Sequence, residues 1–161
     1  MITQDKLKEV MYYSAADGVF RWKISKGPNA RKGQIVGKKK GYPKVTIDGA
    51  EYKLHRLAWL YVYGNFPVKD LDHINGITYD FAISNLRECN DFENQQNRSV
   101  SKRNKCGYPG VSFFKRINKW SAQIMLNRQS YFLGNFDDAK DAGDAYKKAK
   151  QELHTFNPTI R

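Results

Sequence analysis

The segment from residue 69 to residue 97 constrains the fold more than any other part of the chain. Lys69 to His73 has the composition of a short strand, Ile74-Asn75-Gly76 has turn chemistry, and Leu86 to Cys89 can return as a second strand. Asp91 is a good helix N-cap and would begin a third element. The segment therefore predicts two short strands followed by a helix.

Polar side chains suited to catalysis lie along these three elements. Asp72 offers a hard oxygen ligand for a divalent metal, and the adjacent His73 offers an imidazole that can take a proton from water. Asn85 precedes the second strand, and Asn94 lies in the opening turn of the expected helix. Taken singly, such residues are more often turn formers, caps or structural histidines than site residues. Their occurrence as a set indicates a functional site.

Three runs carry a family resemblance. Asp-His-Ile-Asn-Gly at 72–76, Asn-Leu-Arg at 85–87 and Glu-Asn-x-x-Asn at 93–97 resemble the HNH nucleases, in the variant whose last His is replaced by Asn. The resemblance implies the ββα-metal fold and a metal-dependent endonuclease that hydrolyses DNA phosphodiester bonds. It also implies Mg²⁺ or Mn²⁺ as the cofactor, and 5′-phosphate and 3′-hydroxyl ends as the products.

The same resemblance assigns roles to individual residues. It implies that His73 is the general base and that Asp72 and Asn94 are the metal ligands. Asn85 would hold the loop or orient His73. Asn97 lies one helical turn beyond Asn94 and is the fallback ligand.

The net charge of the chain points to a polyanionic partner. The sequence has 28 Lys and Arg against 16 Asp and Glu, which gives a formal net charge of +12. Residues 1–97 hold 15 basic and 11 acidic residues, whereas residues 98–161 hold 13 and 5. We therefore expect double-stranded DNA as the partner, with a second, more basic binding module after a catalytic one.

Composition also excludes several classes of protein. No apolar run reaches the ~18 residues of a spanning helix, and the first residues lack the apolar core of a signal peptide. The two cysteines, Cys89 and Cys106, predict neither a disulfide framework nor a zinc site. We expect a cytoplasmic protein, in a bacterial host if a phage encodes it, with no membrane partner and no small-molecule cofactor.

The segment ahead of residue 67 predicts a helix, a hairpin and a second helix. Residues 3–13 suggest a short helix, and Asp48-Gly49 is a strong hairpin signal between residues 42–47 and 51–54. His55 to Tyr63 suggests a buried helix. Its run His55-Arg56-Leu57-Ala58-Trp59 resembles the segment often found ahead of the HNH motif in phage proteins. We interpret His55 as structural and Arg56 as a candidate phosphate contact.

Residues 106–154 carry a second resemblance. Gly-Tyr-Pro-Gly-Val at 107–111, Lys-Trp-Ser-Ala-Gln-Ile at 119–124 and Leu-Gly-Asn-Phe at 133–136 resemble the plant ethylene-response-factor type of DNA-binding domain, which also occurs in phage HNH nucleases. The resemblance implies a three-stranded antiparallel sheet packed on one helix, with its outward face in the major groove. We expect a nuclease domain over 1–97, a basic linker over 98–105 and this domain over 106–161.

The outward face departs from the plant pattern, in which Arg and Trp dominate. Alternation predicts that Val111, Phe113, Ala122 and Ile124 face the helix, while their neighbours face outward. Few of the outward side chains can form bidentate hydrogen bonds with guanine, so the face either reads bases or packs on the nuclease. The candidate DNA contacts of the whole chain are Arg56, Arg87, Arg98, Lys102, Arg103, Lys105, Ser112, Phe114, Lys115, Arg116, Lys119, Gln123, Met125 and Arg128.

Two other functions stay open on the sequence alone. One is a DNA-binding protein or regulator without catalysis, in which the HNH unit is a relic. The other is binding or cleavage of RNA, because phosphate contacts do not specify DNA. The presence of Asp72, His73 and Asn94 together argues for the nuclease.

Overall fold

The chain divides into two compact units, Met1–Cys89 and Asn90–Arg161. The computed structural model describes residues 1–28, 30–37, 43–96, 100, 104, 106–154 and 156. Both units combine helices with small antiparallel sheets, so the α+β class is confirmed. The division after Cys89 differs from the boundary expected near residue 97 and assigns the helix at 91–96 to the second unit.

The first unit contains two α-helices, a 3-10 helix at Ile83–Asn85 and seven strands among its described residues. In chain order the α-helices and strands are α1 (Gln4–Val10), β1 (Met11–Ser14), β2 (Val19–Trp22), β3 (Ile35–Val36), β4 (Lys44–Ile47), β5 (Ala50–Lys53), α2 (Leu54–Tyr63), β6 (Asp70–His73) and β7 (Leu86–Cys89). They form a sheet of order β1-β2-β3 and the separate antiparallel pairs β4-β5 and β6-β7.

The first helix is shorter than the sequence predicted. Thr3 caps α1 by accepting a hydrogen bond from the Lys6 amide, and the helix ends at Val10. Met11 begins β1, whose residues pair with β2, so the strand register overrides the helical pattern that extended to residue 13. Leu7, Val10 and Met11 are all buried.

The predicted hairpin and second helix are both present. Asp48 and Gly49 adopt positive φ angles of 50° and 80°, as a tight turn between two strands requires. The helix α2 follows at once and ends at Gly64, which adopts a φ of 82° and donates its amide to the Leu60 carbonyl. The part of this prediction at residue 42 lies outside the described residues.

The loop that joins β6 and β7 packs against the N-terminal sheet. The Tyr13 hydroxyl donates to the Phe81 carbonyl at 2.5 Å, and Phe81 belongs to the main hydrophobic core. Gly18 lies so close to this loop that a Cβ would meet the Ala82 nitrogen at 2.3 Å. The close approach requires glycine there. The β6-β7 loop is therefore packed against the N-terminal segment.

The second unit contains two α-helices and three strands among its described residues. They are α3 (Asp91–Gln96), β8 (Val111–Phe114), β9 (Lys119–Leu126), β10 (Gln129–Phe136) and α4 (Ala139–Leu153). The three strands form an antiparallel sheet of order β10-β9-β8, and α4 packs against it. This arrangement is the sheet-and-helix architecture that the sequence predicted for residues 106–154.

The inner face of this sheet follows the predicted alternation with one exception. Val111, Ala122 and Ile124 are buried, and Gly143 of α4 lies so close to Tyr108 that a Cβ would meet the ring at 2.2 Å. Phe113 was expected to pack on the helix, but it is 44% exposed. Its ring packs on Trp120, its partner across the β8-β9 pair, with 5.1 Å between ring centroids.

Candidate active site and nucleic-acid interface

Asp72 is fixed by an ion pair across the β6-β7 hairpin. Asp72 and Arg87 are cross-strand partners, and the Asp72 carboxylate is buried. Its Oδ2 accepts hydrogen bonds from Arg87 Nε at 3.0 Å and from Nη2 at 2.9 Å. A buried carboxylate requires such a partner, because its desolvation is otherwise unfavourable. Arg87, a candidate DNA contact, therefore holds the candidate metal ligand.

His73 ends strand β6 in an apolar, aromatic environment. Its ring is buried, 5.3 Å from the His55 centroid and 6.4 Å from the Phe81 centroid. Burial lowers the pKa of His73, although the negative charges of Asp72 and Asp80 oppose the shift. The neutral form, which can accept a proton, is therefore favoured at neutral pH.

The sequence did not predict that His55 of α2 contacts the candidate site. Burial lowers its pKa to about 3, and the proximity of His73 adds to this effect. His55 is buried, as expected for a structural residue, but what it packs against is the ring of the candidate general base. The 18-residue separation in sequence carried no signal for this contact.

Asn85 organises the loop between the two strands. Its Oδ1 accepts a hydrogen bond from the Asn75 amide at 2.9 Å, and its Nδ2 donates to Asn75 Oδ1 and to the Asp80 carbonyl, both at 3.0 Å. Its backbone carbonyl also accepts from the Ile74 amide at 2.8 Å. The Asn75 side chain in turn donates to Asp80 at 2.6 Å. These bonds close the chain that follows His73 into a defined turn.

Asn94 lies on α3 in the second unit. The helix begins with a capping box: Asn90 Oδ1 accepts from the Glu93 amide at 2.9 Å, and Glu93 Oε2 accepts from the Asn90 amide at 2.7 Å. The cap is therefore Asn90, and the prediction that Asp91 caps the helix was wrong. The spacing Asn-x-x-Glu was the signal for it. Asn94 is exposed, and the fallback ligand Asn97 lies outside the described residues.

Residues 52–96 match the HNH endonuclease family model. The matched segment runs from β5 through α2 and the β6-β7 hairpin to α3, so it includes His55, Asp72, His73, Asn85 and Asn94. The match suggests a nuclease of the HNH family, which implies DNA as the substrate. HNH nucleases generally use divalent metal ions. Neither the curated proteins nor the solved structures contain a match to this chain.

The donor atoms in the HNH segment suit a hard divalent metal. In the described part of the chain, no three His, Cys, Asp or Glu side chains are grouped so that they could hold a metal ion. Mg²⁺ needs fewer protein ligands, because one or two side-chain oxygens are commonly completed by substrate phosphate and water. Asp72 carries a carboxylate and Asn94 an amide oxygen, which are donors of that type.

Arg56 and the basic linker were further candidates for contact with DNA. Arg56 is half-buried; its Nη2 donates to the Pro67 carbonyl at 3.2 Å, and its guanidinium lies 5.8 Å from the Phe66 ring centroid. These contacts give it a structural role in joining α2 to the chain before β6. The linker candidates Arg98, Lys102, Arg103 and Lys105 lie outside the described residues.

The outward face of the C-terminal sheet is apolar at both ends. Phe132 is 66% exposed and Met125 is 52% exposed near the β9-β10 turn, and Phe114 is 46% exposed at the other end of the sheet. Polar Gln123 lies between them and accepts from Ser130 at 3.3 Å. Ser112 lies in β8 and Lys115 directly follows this strand, and both side chains are exposed.

The cations around this face already make contacts within the second unit. Arg116 lies 5.8 Å from the Phe114 ring centroid, and Lys119 pairs with Asp137 at 2.5 Å. Arg128 lies over the ring of Phe92 in α3. The Lys119–Asp137 ion pair is accessible to solvent, so it is weak and compatible with exchange for phosphate.

None of the helices in the described ranges combines the length and apolarity that a membrane span requires.

Proposed function

We propose that this protein is a metal-dependent HNH endonuclease that hydrolyses phosphodiester bonds of double-stranded DNA. We assign His73 as the general base, Asp72 and Asn94 as the metal ligands, and Asn85 as the residue that holds the loop after His73. The observation that carries the proposal is the Asp72-His73 pair, buried at the end of β6 with the carboxylate fixed by Arg87.

The metal would be Mg²⁺ or Mn²⁺, held by Asp72 and by the exposed amide oxygen of Asn94. When bound, it supplies a Lewis acid that neutralises charge on the phosphate and on the departing oxygen. Arg87 donates two hydrogen bonds from its guanidinium to the Asp72 carboxylate. These bonds limit the rotation of the carboxylate.

The proton transfer falls to His73. The neutral imidazole accepts a proton from a water molecule as the water oxygen attacks phosphorus. The bond between phosphorus and the 3′-oxygen breaks, the water oxygen stays on the 5′-phosphate, and the 3′-oxygen leaves as a hydroxyl after taking a proton from solvent. Burial of the ring, which favours its neutral form, supports this role.

We further propose that the C-terminal sheet and helix bind DNA. The support is the excess of basic residues in 98–161 and the exposed outward face, which carries Gln123, Met125 and Phe114. Lys115 follows Phe114 in sequence, and the Arg116 guanidinium lies 5.8 Å from the Phe114 ring centroid. Since the face has few groups for bidentate base contacts, we expect modest sequence preference.

Plasmid cleavage with a metal series and EDTA tests the proposal. The wild-type chain should cut in Mg²⁺ or Mn²⁺ and stop when EDTA is added. His73→Ala should cut about 10²- to 10⁴-fold more slowly while binding DNA normally. A wild-type chain that binds DNA but cuts in no metal would instead be a DNA-binding protein without catalysis. Competition with duplex RNA separates DNA binding from RNA binding.

A further inference from the structure

In the turn between β9 and β10, an arginine adopts a left-handed backbone conformation, which is unfavourable for a large side chain. Asn127 and Arg128 adopt φ angles of 49° and 67°. The corresponding turn between β4 and β5 uses Asp48 and Gly49, with glycine in the second position. Asparagine tolerates the left-handed region, but a bulky residue there is unfavourable compared with glycine. Such a residue persists where its side chain has a use.

The side chain of Arg128 contacts α3. Its guanidinium lies 5.2 Å from the centroid of the Phe92 ring, a distance at which a cation and an aromatic face attract each other. A second contact reaches the same helix, because Gln96 Oε1 accepts a hydrogen bond from the Phe156 amide at 3.1 Å. Two segments of the second unit therefore hold one side of α3.

The contacted side of α3 is the one opposite Asn94. Gln96 follows Phe92 by four residues and shares its face of the helix. Asn94 lies two residues after Phe92, about 200° around the helix axis. Consistent with this placement, Phe92 and Gln96 are half-buried and Asn94 is exposed. Because α3 has only six residues, contacts on one face fix the direction in which Asn94 points.

We propose that Arg128, acting through Phe92, is a positioning residue that holds α3 and thereby orients Asn94 for the metal. The inference rests on the proposed function, in which Asn94 is a metal ligand. Its consequence is that the C-terminal unit does more than bind DNA, since the turn on its sheet holds the helix that carries the proposed ligand Asn94.

The alternative role of Arg128 is a direct phosphate contact. That role predicts weaker DNA binding when the charge is removed and no effect when Phe92 changes. The positioning role predicts that removal of the Phe92 ring, with no change of charge, impairs cleavage at unchanged DNA affinity. A substitution of Phe92 therefore distinguishes the two roles.

The experiment uses the full chain with four substitutions. Arg128→Gly removes the side chain and relieves the left-handed turn, so the fold should be at least as stable as the wild type. Asn127→Gly is the matched control, which changes the same turn and keeps Arg128. Phe92→Leu removes the ring, and Phe92→Tyr restores it. Hydrogen exchange of residues 92–96, thermal unfolding, DNA affinity and metal-dependent cleavage are measured for each.

We expect Arg128→Gly and Phe92→Leu to lower amide protection in α3 by about 2- to 5-fold. Both should slow cleavage by a similar factor, about 2- to 5-fold, and raise the metal concentration needed. Asn127→Gly and Phe92→Tyr should behave as the wild type, and Phe92→Leu should bind DNA normally.

Normal exchange and normal cleavage in Arg128→Gly and Phe92→Leu overturn the proposal. Impaired binding in Arg128→Gly, with normal cleavage and exchange in Phe92→Leu, also overturns it and assigns Arg128 to phosphate. If the wild-type chain cuts in no metal, the proposed function fails and the role of Asn94 fails with it. Exchange in α3 then still decides whether Arg128 holds the helix.

Discussion

The imidazole ring of His55 lies edge-on to that of His73, with 5.3 Å between the ring centroids and 72° between the ring planes. His55 belongs to α2 and His73 to the end of β6, so the contact joins the buried helix to the strand that carries the candidate base. Both rings are buried, and burial favours the neutral form of each. Two consequences for pH dependence follow, one for cleavage and one for stability.

Cleavage should rise with pH through a midpoint below the ordinary histidine pKa of about 6.5. The base must be neutral to accept a proton, and burial lowers the pKa of His73. The rate should therefore fall only on the acid side and be level around neutral pH. Measurement of kcat/KM against pH, at saturating metal, checks this expectation. A midpoint clearly above 6.5 would remove His73 from the role of base.

Stability should decrease in acid because of His55. Its pKa in the folded chain is about 3, below the unfolded value of about 6.5, so the unfolded chain binds more protons between these limits. The contribution is fully present above pH ~6.5 and is lost as pH falls toward 3. It amounts to a few kcal/mol, on the order of 1.4 kcal/mol per pKa unit.

Urea unfolding between pH 4 and pH 7 measures this dependence. His55→Gln cannot titrate, so its free energy of unfolding should change less steeply with pH than that of the wild type. The comparison uses the slopes, because the substitution also changes the absolute stability. Equal slopes in both proteins would mean that His55 is not held neutral.

The two proposed metal ligands should differ in what their loss does to stability. Asp72→Ala removes the buried partner of Arg87 and should lower the free energy of unfolding by about 1–3 kcal/mol. Asn94→Ala changes an exposed side chain and should alter it by no more than about 0.5 kcal/mol. Both should abolish cleavage, and Asn97→Ala should do less. Loss of cleavage in Asn97→Ala but not in Asn94→Ala would mean that the metal ligand is Asn97, one helical turn beyond Asn94.

Asn85→Asp should destabilise the loop although the two side chains have the same shape. An aspartate can accept from the Asn75 amide but cannot donate to Asn75 Oδ1 or to the Asp80 carbonyl. We expect a loss of about 2 kcal/mol in the free energy of unfolding. Asn65→Asp is the control, because Asn65 is exposed and makes one long bond of 3.4 Å to Phe66. Equal stabilities would show that the side-chain bonds do not hold the loop.

DNA binding by the full chain should weaken steeply with salt. Each neutralised phosphate contributes a slope of about −0.9 in log K against log salt. Arg116→Ala should make the slope shallower by about this amount, as should Lys115→Ala. Lys140→Ala is the control, since Lys140 lies on α4 and pairs with Asp144. The His73→Ala background prevents cleavage during the titration. An unchanged slope in both test variants would remove this edge of the sheet from the interface.

Local signals in the sequence were sufficient for most elements. The Asp48-Gly49 turn, the strand composition around Asp72 and Leu86, and the apolar run from His55 to Tyr63 all predicted elements that the structure contains. These signals succeed because turn conformation and amphipathic period depend on residues close in sequence. For the same reason the spacing of Asn90 and Glu93 is a local signal for the capping box, although the predicted cap was Asp91.

The sequence by itself determined which chemical groups the proposed site would contain, because Asp72, His73, Asn85 and Asn94 belong to the runs that resemble the HNH motif. Only the tertiary structure decided their surroundings: the pairing of Asp72 with Arg87, the packing of His55 on His73 and the contact of Arg128 with Phe92. These contacts join residues 15 to 36 positions apart. Pairings at that range depend on strand register and core packing, which the composition of a short segment does not encode.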